Sequence, residues 1–80
     1  MKIKVYTTKS CVYCHALLDW LDEEGIKYEE VNAEEPENVK DMEIYGVPVT
    51  IIENEGEVFR VDGFDRPAIK KILRKLGRKV

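Results

Sequence analysis

Cys11, Cys14 and the histidine that follows, His15, are the residues whose types and spacing could do chemistry in this 80-residue chain. A cysteine thiolate is both a nucleophile and a metal ligand. A Cys-x-x-Cys pair therefore suits disulfide exchange or metal binding. The four-residue spacing does not choose between these uses; the position of the pair among the predicted elements does.

Residues 2–7, Lys-Ile-Lys-Val-Tyr-Thr, alternate and are rich in strand formers, which predicts a strand. Cys14, Leu17, Leu18 and Leu21 then recur at i, i+3, i+4, i+7, the spacing of one helical face, and Gly25 stops that helix. Residues 26–31 return to strand character. The acidic stretch 34–43 predicts a short second helix with Pro36 in its first turn and Val39 and Met42 as its apolar contacts. Val47 to Ile52 is apolar and β-branched, Glu53-Asn54-Glu55-Gly56 is a turn, and Glu57 to Val61 returns as the second strand of a hairpin. Asp65 caps a last helix with Pro67 in its first turn, a stripe of Ile69, Ile72, Leu73 and Leu76, and Gly77 at its end. The order β-α-β-α-β-β-α predicts one α/β domain over residues 1–80. It is a four-stranded mixed sheet with helices on both faces, its first strand–helix–strand unit a right-handed parallel crossover.

That order puts Cys11 at the junction of the first strand and the first helix. Backbone N–H groups at a helix start lack partners, and the helix dipole is positive there. A Cys11 thiolate would accept those hydrogen bonds and be stabilised. Cys14 lies in register with the buried stripe and faces inward. The asymmetry suits an exposed attacking thiol, Cys11, and a sheltered resolving thiol, Cys14, in a thiol–disulfide exchange cycle.

Three other uses of the same residues stay open. Cys-Val-Tyr-Cys-His at 11–15 matches the c-type haem attachment pattern, although it follows a strand directly and few candidates exist for the second axial ligand. Cys11, Cys14 and His15 supply three metal ligands where a zinc or iron–sulfur site needs about four. A metal or cluster module would thus need a carboxylate, a second subunit or an external thiol. The third use is an inert pair on a structural domain.

Composition narrows the setting. Charged residues make up 36% of the chain, and the net charge of -3 is unevenly spread. Residues 19–62 hold fifteen acids and three bases, whereas residues 66–80 hold seven bases and no acid. The basic end falls on the outer face of a predicted helix without interleaved aromatics, which reads as a solvated face rather than a nucleic-acid surface. The opening Met-Lys-Ile-Lys-Val-Tyr is broken by charges and does not resemble a signal peptide. No apolar run approaches the roughly 20 residues that span a bilayer. The expectation is a cytoplasmic monomer without membrane or nucleic-acid partners. Thiols in that compartment are held reduced, so the pair is not a structural staple.

With these pieces in view, the chain resembles the glutaredoxin family of the thioredoxin fold, and more narrowly the glutaredoxin-like redoxins of the NrdH type. The likeness rests on Val-Tyr-Thr at 5–7, Cys-Val-Tyr-Cys at 11–14, Gly-Val-Pro at 46–48 and Asp-Gly-Phe at 62–64, and it spans residues 2–77. It implies a disulfide oxidoreductase with no bound cofactor, acting on protein or low-molecular-weight disulfides. Ribonucleotide reductase is among the implied partners, and glutathione or a thioredoxin reductase is the external electron donor. It also implies that Pro48 follows a cis bond beside the cysteines and exposes the Val47 backbone to a substrate's extended chain. The motif is divided between subfamilies: Tyr13 is shared with the Cys-Pro-Tyr-Cys of glutaredoxins, Val12 with the Cys-Val-Gln-Cys of NrdH-type chains. Thr8 stands where the family usually carries a base, with Lys9 one place later. Asp62-Gly63-Phe64-Asp65-Arg66 stands where a Gly-Gly-x-Asp-Asp glutathione segment falls. The candidate substrate contacts are Lys9, Tyr13, Val47, Pro48, Gly63 and Phe64. Tyr6 and Trp20 are expected to pack in the core.

Overall fold

The structure, a computed structural model, describes residues 1–40 and 46–77. Its elements run β1 (Lys2–Thr7), α1 (Val12–Glu23), β2 (Glu29–Asn32), α2 (Pro36–Val39), β3 (Val49–Asn54), β4 (Glu57–Asp62) and α3 (Arg66–Lys75). The four strands form one sheet in the order β2-β1-β3-β4. β1 pairs parallel with β2, antiparallel with β3, and β3 pairs antiparallel with β4. This is the mixed sheet that the order of elements predicts.

Alternation along the strands decides which side chains form the core. Ile3 and Val5 on β1, Ile52 on β3 and Val61 on β4 share one cluster with Leu17, Leu18, Trp20 and Leu21 of α1 and Ile69 and Leu73 of α3. Both long helices thus lie on the same face of the sheet. Tyr6 and Val49, paired across β1 and β3, alternate to the opposite face and are buried there too. Burial of each such aliphatic side chain is worth about 1.5–3 kcal/mol before the entropy of ordering is charged against it.

Three elements have boundaries that differ from those the sequence predicts. β2 starts at Glu29 rather than at 26, because the end of α1 claims the preceding backbone. The Gly25 amide donates to the Asp22 carbonyl and the Ile26 amide to that of Leu21, with Gly25 at φ +69. These are the paired bonds of a Schellman ending. Ile26 is consequently buried under the helix, not in the sheet. β3 begins at Val49, one residue past Pro48, which has no N–H to offer a ladder. It runs on to Asn54, because the hairpin turns in two residues: Glu55 at φ 48 and Gly56 at φ 86. Two successive positive φ values match the right-handed twist of the flanking strands. The second helix spans only Pro36–Val39 among the described residues; Met42, expected to pack it, lies outside them.

α3 starts as predicted. The Asp65 carboxylate accepts the Ala68 N–H at 3.2 Å, and Pro67 sits in the first turn, where a missing N–H costs nothing. Thr50 is the exception to a well-matched core. Its register partners Val5 and Val61 place it on the helix-covered face, it is fully buried, and its hydroxyl finds no hydrogen-bond partner among the described residues. A buried unpaired hydroxyl costs about 1–3 kcal/mol. Replacing it with the isosteric Thr50→Val is expected to raise the unfolding free energy by about 1 kcal/mol, read as a higher urea midpoint at unchanged slope. A lower midpoint would show that the hydroxyl is bonded.

Candidate active site

β1 ends at Thr7, and after three intervening residues the chain enters α1 through Cys11, which is the N-cap residue with extended backbone at φ -83, ψ 106. The Cys14 N–H donates to the Cys11 sulfur at 3.0 Å. Sulfur here takes the place of the oxygen that serine, threonine or aspartate supplies at most helix starts. Cys11 and Cys14 have Cα atoms 5.2 Å apart and are joined by a disulfide. Their surroundings are unequal. Cys14 is 1% exposed and faces the core, while Cys11 is half-buried at the surface. Between them Val12 and Tyr13 are the two most exposed large apolar side chains described, at 76% and 65%.

The Val47–Pro48 peptide bond is cis. Pro48 is buried and Val47 half-buried. The Pro48 carbonyl accepts the Gly63 N–H at 2.8 Å, which ties the end of β4 to this bend. Gly63 sits at φ 83, a conformation L side chains rarely adopt, so glycine is required there on backbone grounds alone. The next residue, Phe64, reaches back to the cysteine loop, its ring centroid 6.4 Å from that of Tyr13. Tyr13, Phe64, Gly63 and the buried Pro48 are thereby linked into one run of contacts that starts between the cysteines, although they come from three separate parts of the chain. A groove of about 350 Å³ opens beside it, lined by Gly46, Val47, Arg60, Asp62 and Gly63.

Lys9 is placed elsewhere. Its backbone N–H donates to the Glu34 carboxylate at 3.0 Å. With Thr7, Thr8, His15, Glu30 and Asn32 it lines a separate cavity of about 320 Å³ on the β2 side of α1. His15 thus shares a wall with Lys9 rather than with Tyr13 and Phe64. Among the described residues no group of three or more Cys, His, Asp or Glu side chains is arranged to hold a metal ion.

Three residues of this region are not legible as site residues from the sequence. Arg60 and Asp62 line the groove beside Val47 and form an ion pair with each other at 2.9 Å. The signal for them is period-two alternation on β4, readable only once its register with β3 is known. Arg66 lies with its guanidinium 5.4 Å from the Phe64 centroid, in cation–π range.

The thioredoxin-like fold, with a cysteine pair at disulfide distance on the first turn of α1, defines a thiol oxidoreductase. The chain belongs to the glutaredoxin family, whose sequence profile matches residues 3–57. Among solved structures it is similar to the glutaredoxin-like protein NrdH-redoxin from Escherichia coli. The two are 26% identical over 90% of this chain and 95% of that one, with a TM-score of 0.70. It is similar to a thioredoxin-like protein at 28% identity, over 90% of this chain and all of that one (100%), with a TM-score of 0.71. A glutaredoxin from Archaeoglobus fulgidus, 23% identical over 91% of this chain and 86% of that one, shares the fold at a TM-score of 0.69. No curated protein sequence matches the chain. No helix among the described residues is long and apolar enough to cross a membrane.

A larger cavity, about 680 Å³, lies at the other end of α1, about 18 Å along the helix from the cysteines, and is lined by Asp22, Gly25, Ile26, Lys27, Tyr28 and Glu30. Burial raises the Tyr28 phenol above its ordinary value of 10.0, helped by its hydrogen bond to Asp22 and by the negative charges of Asp22, Glu30 and Asp19. A phenol held neutral in the fold stabilises it fully below the unfolded value, and that contribution is lost as pH rises through the folded one. Tyr28→Phe is therefore expected to lose less stability than the wild type between about pH 9 and pH 11, measured by urea unfolding at each pH. Parallel curves for the two proteins would contradict the assignment.

Proposed function

We propose that the protein reduces disulfides in other proteins by dithiol exchange, with Cys11 as the attacking and Cys14 as the resolving sulfur. The observation that carries this is the Cys11 sulfur at the mouth of α1, accepting the Cys14 N–H while Cys14 itself is buried. In the reduced protein the same N–H and the positive end of the helix favour a thiolate on Cys11. That thiolate attacks one sulfur of a substrate disulfide. A Cys11–substrate bond forms, the substrate S–S bond breaks, and the departing thiolate takes a proton from solvent. Cys14 then gives up its proton and attacks the Cys11 sulfur, which releases the second substrate thiolate and leaves the Cys11–Cys14 disulfide. Two electrons pass to the substrate in all. Burial protects Cys14 from outside disulfides until a mixed disulfide stands beside it.

The substrate's chain is expected to pair with the Val47 backbone in the manner of strand addition, with Pro48, Gly63, Phe64 and Tyr13 as its remaining contacts. For the electron donor we favour a thioredoxin reductase over glutathione. The similar NrdH-redoxin is described as having a thioredoxin-like activity profile. Asp62-Gly63-Phe64 in this chain also departs from the glutathione-binding segment of the family. Ribonucleotide reductase is the protein substrate that the NrdH likeness suggests, and a reducing cytoplasm is the compartment in which such a cycle turns over.

Cys11→Ser is expected to abolish reduction of a peptide disulfide by the pre-reduced protein. Cys14→Ser is expected to accumulate a mixed disulfide visible by mass spectrometry. Activity retained in the first variant, or no adduct in the second, would reverse or remove the assigned roles. Oxidised protein offered separately to NADPH with thioredoxin reductase, and to glutathione with its reductase, is expected to consume NADPH in the first assay at least about tenfold faster. The opposite order would make glutathione the donor.

A further inference from the structure

Arg66, Lys70 and Arg74 recur every fourth residue of α3, so they lie on one helical face and rise about 6 Å per step. A cavity of about 350 Å³ runs along that face, lined by Arg66, Pro67, Lys70 and Arg74. Its lining carries three cationic side chains and no acid. It also begins at the active site, since the Arg66 guanidinium lies over the Phe64 ring, whose other contact is Tyr13 between the two cysteines.

Two of the three bases are held over aromatic rings. The guanidinium of Arg66 is 5.4 Å from the centroid of Phe64, and the Lys70 ammonium is 5.9 Å from that of Trp20. Such contacts hold long side chains in place without neutralising their charge. Neither of the acids nearest in sequence lines the groove: Asp65 caps the helix through the Ala68 N–H, and Asp62 pairs with Arg60. Lys71 and Lys75 add further positive charge on neighbouring faces of α3, the latter with its ammonium 5.6 Å from the Phe59 centroid.

We propose that this groove receives an acidic segment of the protein whose disulfide is being reduced. The proposal rests on the oxidoreductase reading above and names the kind of substrate it prefers. An extended chain presents every second side chain on one side, about 6.6–6.8 Å apart, which is close to the 6 Å step of the bases. Two or three carboxylates at alternate positions beside the substrate cysteines would therefore meet Arg66, Lys70 and Arg74 in turn. Nucleic acid fits less well. No aromatic side chain lines the groove for a base to stack on, and the fifteen acids of residues 19–62 repel a long polyanion.

Two peptides test this, each with the same intramolecular disulfide followed by Glu-Ser-Glu-Ser-Glu or by Gln-Ser-Gln-Ser-Gln, offered to the pre-reduced protein in single turnover. The glutamate peptide is expected to react about tenfold faster at low ionic strength. The two rates should converge towards about 1 M salt, where the screening length falls to about 3 Å. In the double variant Arg66→Gln/Arg74→Gln the ratio of the two rates is expected to fall to about two or less, and any change common to both peptides cancels in that ratio. Equal rates for the wild type at low salt, or a ratio untouched by salt and by the double variant, would overturn the acidic-segment groove while leaving the exchange reaction standing. Reduction of neither peptide would overturn the oxidoreductase reading itself, and the groove with it. A single-stranded DNA oligonucleotide that displaces the glutamate peptide at lower concentration than a disulfide-free Glu-Ser-Glu-Ser-Glu peptide does would make nucleic acid the occupant and also overturn the proposal.

Discussion

The start of α1 needs a hydrogen-bond acceptor, and the acceptor it uses is the sulfur of Cys11. One contact thereby serves local structure and chemistry together. The N–H that would otherwise be an orphan of the helix start finds a partner, and the sulfur is held against the positive end of the dipole. The contact also fixes the geometry of the pair. A capping sulfur bonded to the amide three residues on brings that residue's own side chain within disulfide reach, and helical periodicity turns it inward beside Leu17 and Leu18. The different exposures of the two cysteines are thus consequences of where the helix begins.

The sheet must then carry a second surface to the same place. β1 delivers the chain to Cys11, and β3, antiparallel to it, begins at Val49 opposite Tyr6, close to the end of β1. The bend at Val47–Pro48 is therefore brought to the same edge of the fold by register alone. The β3–β4 hairpin returns the chain to that edge at Asp62, where the Gly63 N–H bonds the Pro48 carbonyl and Phe64 turns towards Tyr13. The two-residue turn at Glu55–Gly56 sets that register. A slip of one residue would send Val61 out of the core and move Gly63 away from Pro48.

Charge is distributed around this frame in the same ordered way. The β2 side carries Glu29, Glu30 and Glu34, with the Thr7 hydroxyl donating to Glu30 at 2.9 Å. The opposite helix, α3, carries the bases. The cysteine loop lies between the two, so a partner approaching it meets an acidic flank on one side and a basic flank on the other. Such a field orients an encounter more than it strengthens the final complex.

Much of this was legible in the residue order. Strong patterns located β1, α1 and α3, because a stripe at i, i+3, i+4, i+7 and a cap–proline–glycine frame leave few alternatives. The boundaries of β2 and β3 differ from the pattern where a backbone demand overrides it: a helix ending that captures the Ile26 amide, and a proline with no N–H to pair. By itself the sequence determined the cysteine pair, its place before a helix and the inward direction of Cys14, since these depend on spacing within one segment. The tertiary structure alone decided that Phe64 meets Tyr13, that the Gly63 N–H bonds the Pro48 carbonyl, that Lys9 lines a different cavity, and that Arg66 stands over Phe64 at the start of a basic groove. Those are contacts between segments far apart in the chain, and local periodicity specifies which face a residue occupies without specifying what it meets there.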